Sequence, residues 1–216
     1  GNVYQVICRQ TNERFALKIG EAKREHFADQ LSNELNVYEY INNRLDSDDL
    51  QYFGKFIKGF KNSLYVVIIL ELYQKDIYKH IEYRRHRGFS FPDVQKILRD
   101  VASAMKILHR LRIIHSDLKP ENIVTTNDGH SKLIDFGCSV PFQAGYSGYV
   151  QSRYYRAPEV ILRYDLTQAI DVWSFGCIAF ELYIGYPLFY GKDNLHMIQL
   201  MKIRLGDFPS RMISNS

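Results

Sequence analysis

Apolar positions follow two regimes along the chain. Over the first seventy residues they form short runs of strand length, broken by one helical stretch, and beyond that the 3.6-residue period dominates with long loops between. Gly1 to Cys8 and Arg14 to Ile19 read as a hairpin around the polar turn RQTNE. From Glu21 to Asn43, Phe27, Leu31, Leu35, Tyr38 and Ile41 recur at steps of three and four, which predicts an amphipathic helix. Tyr52 to Phe60 and Leu64 to Leu72 read as strands, the second apolar enough to be covered on both faces, and a junction follows at Tyr73 to Lys75. Ser90 and Asp93 have capping-box spacing, and Val94, Ile97, Leu98, Val101, Met105 and Leu108 then keep one stripe of a long core helix. From Thr167 to Ile184 apolar side chains occupy nearly every face, so this helix is expected to be buried all round. The pattern predicts an α+β fold in two lobes, 1–72 rich in strands and 73–216 rich in helices.

Composition narrows the class. With 216 residues, 46% hydrophobic and 24% charged, the chain is neither a stapled mini-protein nor disordered. Lys plus Arg number 28 against 24 for Asp plus Glu, a net +4 too weak and dispersed to make nucleic acid the main partner. The densest basic run, Arg84, Arg85, His86 and Arg87, reads as a solvated helix end near Gly88, with an RNA- or DNA-binding patch as the competing reading. Cys8, Cys138 and Cys177 are odd in number and far apart, so no disulfide framework or CxxC metal site is legible, and a reducing compartment, cytoplasm or nucleus, is expected. The longest apolar run, Leu64 to Leu70, is too short for a membrane span, and no membrane association is expected.

The chemistry concentrates in HSDLKPEN, His115 to Asn122, followed thirteen residues after Asn122 by DFG at Asp135 to Gly137. Asp117, Asp135 and Asn122 can supply a base and oxygen ligands for Mg²⁺, a hard cation that pairs carboxylates with phosphates. Taken singly, a DFG tripeptide or an Asp and Asn in a loop is also an ordinary turn. FALK at Phe15 to Lys18, Glu34 sixteen residues on, APE at Ala157 to Glu159 and DVWSFG at Asp171 to Gly176 follow in one order, and in that order the chain resembles the eukaryotic protein kinases.

That resemblance implies a bilobal kinase fold, ATP and Mg²⁺ as cofactors, protein substrates, and a monomer as the complete domain. It implies that Asp117 takes the acceptor hydroxyl proton, Lys119 neutralises the transferring phosphoryl group, and Asn122 and Asp135 hold Mg²⁺. GNV at Gly1 to Val3 is similar to the end of a glycine-rich loop. Lys18 would reach the phosphates and be held by Glu34, which read alone is also compatible with a solvent-facing helix carboxylate. Ala16, Val3, Leu70 and Val124 would line the adenine site, and Glu71 and Tyr73 would offer it main-chain hydrogen bonds; apolarity alone equally allows plain core positions. Asp171 would bind amides of the catalytic loop, and His115 is a scaffold residue. LKPEN is similar to serine/threonine kinases. An inactive kinase-like binding module is the alternative that the motifs must be weighed against.

SGYVQSRYYRAPEVIL, Ser147 to Leu162, and LGDFP, Leu205 to Pro209, are similar to the CMGC group and within it to the dual-specificity tyrosine-regulated and homeodomain-interacting kinases. By that likeness Tyr149 would be self-phosphorylated, its phosphate bound bidentately by Arg153 and Arg156; among sixteen tyrosines it is also compatible with simple surface exposure. Ser116 stands where most such kinases carry arginine, so the loop-ordering route through a guanidinium is closed. The start of the glycine-rich loop and the closing helices are expected to be absent from this stretch, leaving Glu159 without its arginine at a cost of roughly 3–5 kcal/mol and part of the 172–183 helix uncovered, so that this stretch alone is expected to be poorly stable and weakly active.

Overall fold

The computed structural model describes residues 3–22, 25–142, 148–210 and 212, of which 25–27 by backbone alone. Gly1 and Asn2 of the GNV motif, the Phe27 side chain, Ser147 and Arg211 therefore fall outside the described residues.

Four antiparallel strands, β1 (Val3–Ile7), β2 (Arg14–Glu21), β3 (Phe56–Lys61) and β4 (Tyr65–Glu71), form one sheet in the order β1-β2-β4-β3. Helix α1 (Glu25–Asn42) packs on β2, β3 and β4 through Leu31, Leu35, Tyr38 and Ile41, the buried stripe that the periodicity predicts. In β4, Val66, Val67, Ile68 and Leu70 are buried, as its unbroken apolar run requires.

The strand expected from Tyr52 begins only at Phe56, after a short helix α2 (Ser47–Leu50). Residues 52–54 are claimed by the other half of the molecule. The Leu133 N–H donates to the Tyr52 carbonyl at 2.9 Å, and the Gly54 N–H to the Leu133 carbonyl at 2.9 Å. A tertiary pairing has overridden the local strand preference there.

Beyond β4 come α3 (Ile77–Tyr83) and the twenty-residue α4 (Phe91–Arg110). Ser90 caps α4 as its spacing predicts, its hydroxyl donating to Asp93 Oδ2 at 2.6 Å and accepting the Asp93 N–H at 3.4 Å. Short strand pairs β5 (Ile113–Ile114) with β8 (Val140–Pro141), and β6 (Ile123–Thr125) with β7 (Ser131–Leu133), frame the loop that holds HSDLKPEN. Helices α5 (Pro158–Ile161), α6 (Ala169–Ile184) and α7 (Asn194–Leu205) complete the second half. The larger of two apolar clusters among the described residues runs from Leu31, Tyr38 and Ile68 through Phe53, Leu118 and Phe136 to Cys177, Ile178 and Leu182, joining the sheet to the helices, and the smaller gathers Ile114, Ala157, Val160, Leu166 and Ile170.

Helix α6 is not buried all round. Ile170, Ser174, Ile178 and Leu182 are enclosed, but Val172, Tyr183 and Ile184 are exposed. On the Val172 side, Ala169, Trp173, Leu188 and Leu205 border an apolar groove of about 550 Å³. The basic run forms a solvated turn after α3, with Arg84, Arg85 and Arg87 exposed.

That turn crosses the end of α6 at two glycines. Gly185 ends α6 at φ +92°, and an added Cβ would overlap the His86 carbonyl; a Cβ on Gly88 would overlap the Tyr183 carbonyl. Both obstacles are backbone and cannot swing aside. Gly185→Ala and Gly88→Ala are each expected to lower stability by about 3 kcal/mol, seen as a lower urea midpoint with an unchanged slope.

Candidate active site

The loop before β6 is hung from a buried carboxylate. Asp171, fully buried in the first turn of α6, accepts the main-chain N–H of His115 at 2.8 Å and of Ser116 at 2.9 Å, and lies 2.9 Å from His109 Nε2. The helix N-terminus favours a negative charge at this position. Held so, Ser116 adopts φ +64° and the chain turns Asp117 into the space beside residues 149–152.

Every oxygen of the Asp117 carboxylate is engaged. Oδ1 accepts the Ser152 N–H at 3.0 Å and its hydroxyl at 2.7 Å, and Oδ2 accepts from Lys119 Nζ at 2.6 Å and Asn122 Nδ2 at 3.3 Å. Lys119 also donates to Ser152 Oγ at 3.1 Å. Burial works against the Lys119 charge, and the Asp117 carboxylate outweighs it, so the ammonium is held above its ordinary range.

A second cluster lies under the sheet. Lys18 Nζ donates to both Glu34 oxygens, at 2.7 and 2.9 Å, and lies 3.6 Å from Asp135 Oδ1. Burial pushes the Glu34 carboxyl up to about 7, against the downward pull of Lys18. Burial also works against the charge of Asp135, but Lys18 and the Gly137 N–H overcome it and hold that carboxyl below its ordinary range. Asp135 sits at φ +66°, and Phe136 beside it packs edge-on against Tyr38 at 4.9 Å and against the His115 ring at 5.5 Å. Edge-on ring contacts thus link α1 to the His115–Asn122 loop through the buried Phe136.

The residues expected to hold Mg²⁺ fit that ion. Among the described residues no cluster of three or more His, Cys, Asp or Glu side chains could form a cage of its own. Asn122 spends its Nδ2 on the Asp117 carbonyl at 2.9 Å and on Oδ2, which leaves its oxygen as the free end of the amide. Asp135 remains partly exposed, at 44% of its side chain, and depressed in pKa. One carboxylate and one amide oxygen suit an ion that keeps waters and takes its other ligands from phosphates.

Strand register brings Val3, Ala16, Lys18 and Leu70 to one face, through the pairs Val3 with Lys18, Ala16 with Leu70, and Lys18 with Ile68. Ala16 and Leu70 are buried there, whereas Val3 is 56% exposed. Val124 is buried in β6 and bridges to Asp76, just past the junction. Glu71 gives its N–H to the Lys55 carbonyl at 3.0 Å, which removes that donor from the main-chain groups available to a base. The Tyr73 hydroxyl donates to Glu71 Oε2 at 2.8 Å and accepts the Lys55 N–H at 3.1 Å, a clip across this junction that the sequence did not reveal.

The Tyr149 hydroxyl meets Arg156 Nη1 and donates to Asn194 Oδ1 at 3.0 Å, with the guanidinium 4.1 Å from the ring centre. Arg156 is not free to grip a phosphate with a two-pronged fork. Its Nε donates to the Val150 and Gln151 carbonyls at 3.0 and 3.2 Å, and Nη2 to Gln151 at 2.7 Å, so only Nη1 faces Tyr149. Arg153 is exposed. Buried Gln151 fastens this segment to α6 through the Ile170 carbonyl and Ser174 hydroxyl, both at 2.8 Å. Ser152, Gln151 and Asn194 are not singled out by the sequence as site residues, although the first two lie inside the SGYVQSRYYRAPEVIL stretch that signals the segment. Glu159 pairs with no basic side chain among the described residues, and burial raises its carboxyl.

Comparison with known proteins gives the family of the chain. The family model described as protein kinase domain matches residues 1–212. Dual specificity tyrosine-phosphorylation-regulated kinase 3 of Rattus norvegicus is 35% identical over all of this chain and 37% of its own length. A probable dual specificity protein kinase YAK1 homolog of Encephalitozoon cuniculi is 35% identical over 94% of this chain and half of its own. Dual specificity protein kinase YAK1 of Saccharomyces cerevisiae is 30% identical over 99% of this chain and 27% of its own. The chain thus spans half or less of these relatives. With a family match over nearly its whole length, the chain belongs to the protein kinase domain family.

Proposed function

We propose that this domain transfers the γ-phosphate of ATP to serine or threonine hydroxyls of protein substrates, and to its own Tyr149. The observation that carries the reading is the Asp117 carboxylate, tied to Lys119, Asn122 and Ser152 on the same loop system whose Phe136 stacks toward α1, where Lys18 bridges Glu34 and Asp135. An acceptor hydroxyl takes the place of the Ser152 hydroxyl on Asp117. Its oxygen bonds to the γ-phosphorus as the bond to the bridging β–γ oxygen breaks, its proton passes to Asp117, and ADP leaves. Lys119, already beside Asp117, offsets the charge on the moving phosphoryl group, and Lys18 anchors the remaining phosphates while Glu34 fixes its direction. Mg²⁺, when bound to Asn122 and Asp135, screens phosphate charge.

The similarity to kinases with dual specificity in their names supports Tyr149 as an acceptor. Its hydroxyl already lies against Nη1 of Arg156, which also donates to Asn194 Oδ1 at 3.0 Å, so a phosphate there would meet one guanidinium nitrogen and leave the second cation to Arg153.

Asp117→Asn is expected to slow transfer to a peptide by about 10²–10⁴-fold, while Mg²⁺-dependent ATP binding, followed by thermal shift, survives. Loss of both together, or unchanged turnover, would count against the assignment of the base.

A raised carboxylate pKa means that the folded state holds the proton more tightly. Glu34 therefore favours folding below its ordinary 4.5, and this contribution is lost as pH rises to about 7. Protonation over that window also loosens its grip on Lys18. The turnover profile of the wild type is expected to carry an acid limb with a midpoint near 7, and Glu34→Gln to be slow at every pH and to lack that limb.

Tyr149→Phe removes the oxygen that meets Arg156 and Asn194. Peptide turnover is expected to fall by about tenfold, the cost of roughly one charge-assisted hydrogen bond in ordering the segment, and intact mass to show one phosphate fewer. Equal mass and equal rate would eliminate the role of Tyr149.

A further inference from the structure

Helix α1 meets the DFG segment through a second side chain, adjacent to Glu34. Asn33, half-buried, aims its Nδ2 at three main-chain carbonyls: Phe136 at 3.2 Å, Gly137 at 3.2 Å and Ser139 at 2.7 Å. An amide nitrogen carries two hydrogens, so three acceptors share them. The carbonyls converge because the chain reverses at Asp135, φ +66°, and closes a turn with the Ser139 N–H on the Phe136 carbonyl at 3.0 Å. Gln30, one turn earlier, adds only a 4.0 Å approach to the weakly accepting Cys138 sulfur.

Consecutive residues on a helix point about 100° apart. Glu34 therefore faces Lys18 while Asn33 faces the segment, and both ride on one rigid rod. Any displacement of α1 that frees Lys18 must also break the Asn33 bonds. Disorder in 136–139 likewise withdraws the acceptors that hold α1 in place. Ser116 contributes no cation to this region, and its own hydroxyl is buried without a hydrogen-bond partner. The tie between helix and segment through Asn33 is thus made by an uncharged amide.

We propose that Asn33 is a positioning residue, which makes the seating of α1 on Lys18 and the ordering of residues 136–139 one event, and so fixes Asp135 within reach of Lys18. Its bearing on turnover rests on the kinase reading above, whereas its effect on main-chain order does not.

The test compares the full-length protein with Asn33→Ala, Asn33→Asp and Asn33→Gln, by hydrogen exchange of peptides covering 136–142 and 28–41, and by kcat and KM for Mg²⁺-ATP. In Asn33→Ala, exchange in 136–142 is expected to quicken by about tenfold while 28–41 stays within about twofold, and kcat to fall by about tenfold or more. Asn33→Asp, which presents oxygens to three carbonyl oxygens, is expected to be worse on both readouts, and Asn33→Gln, which keeps the donors, to recover most of both. Unchanged protection of 136–142 in Asn33→Ala would overturn the proposal. So would equal loosening of both peptides, which is what general destabilisation gives, or Asp and Gln variants that behave alike; that last comparison decides the matter if Asn33→Ala does not fold. Wild-type protein without phosphoryl transfer would defeat the kinase reading alone, and the exchange data would still decide the role of Asn33.

Discussion

One buried charge organises the centre of this molecule. Asp171 has no exposure to solvent, and it is made tolerable by two main-chain N–H groups, an imidazole nitrogen and the dipole of its own helix. Those N–H groups belong to the two residues just before Asp117. The carboxylate that holds the loop and the carboxylate that would do chemistry are therefore joined by a stretch of backbone with little freedom. Removing the first would strand the donors and release the left-handed turn at Ser116, so the geometry around Asp117 would be lost even with every side chain of that site intact.

From Asp171 the constraint passes upward by packing rather than by charge. His115, Phe136, Tyr38 and Phe56 follow one another at 5.5, 4.9 and 5.6 Å between ring centres, from the loop to the sheet. Aromatic contacts of this kind supply area and orientation together. Lys18, Glu34 and Asp135 sit beside that column, so a tilt of α1 disturbs the rings and the ion pairs at once.

Local patterns were legible in the sequence, and long-range ones were legible only where a family likeness supplied the distance. The α1 stripe and the Ser90 cap rest on neighbours three or four residues apart, and both appear where the spacing puts them. Lys18 and Glu34 are far apart in sequence and were paired by resemblance. Residues 52–54 left their expected strand because Leu133 offered better hydrogen bonds, and no window of neighbouring residues contains that fact. Arg156 shows the same limit: its type suggested a phosphate fork, but the carbonyls of Val150 and Gln151 already hold two of its three nitrogens. Asn33 and Ser152 were invisible for a related reason, since their partners are a backbone turn and a carboxylate whose positions exist only in the folded chain.

The crowding of Asp117 has a kinetic meaning. With four donors on two oxygens, the carboxylate at rest is dressed entirely by its own protein. A newcomer must evict a resident donor, and a hydroxyl anchored along an extended polypeptide brings the binding energy to do so, while a lone solvent molecule does not. On the proposed reading, this arrangement guards the nucleotide against idle hydrolysis whenever no acceptor is docked.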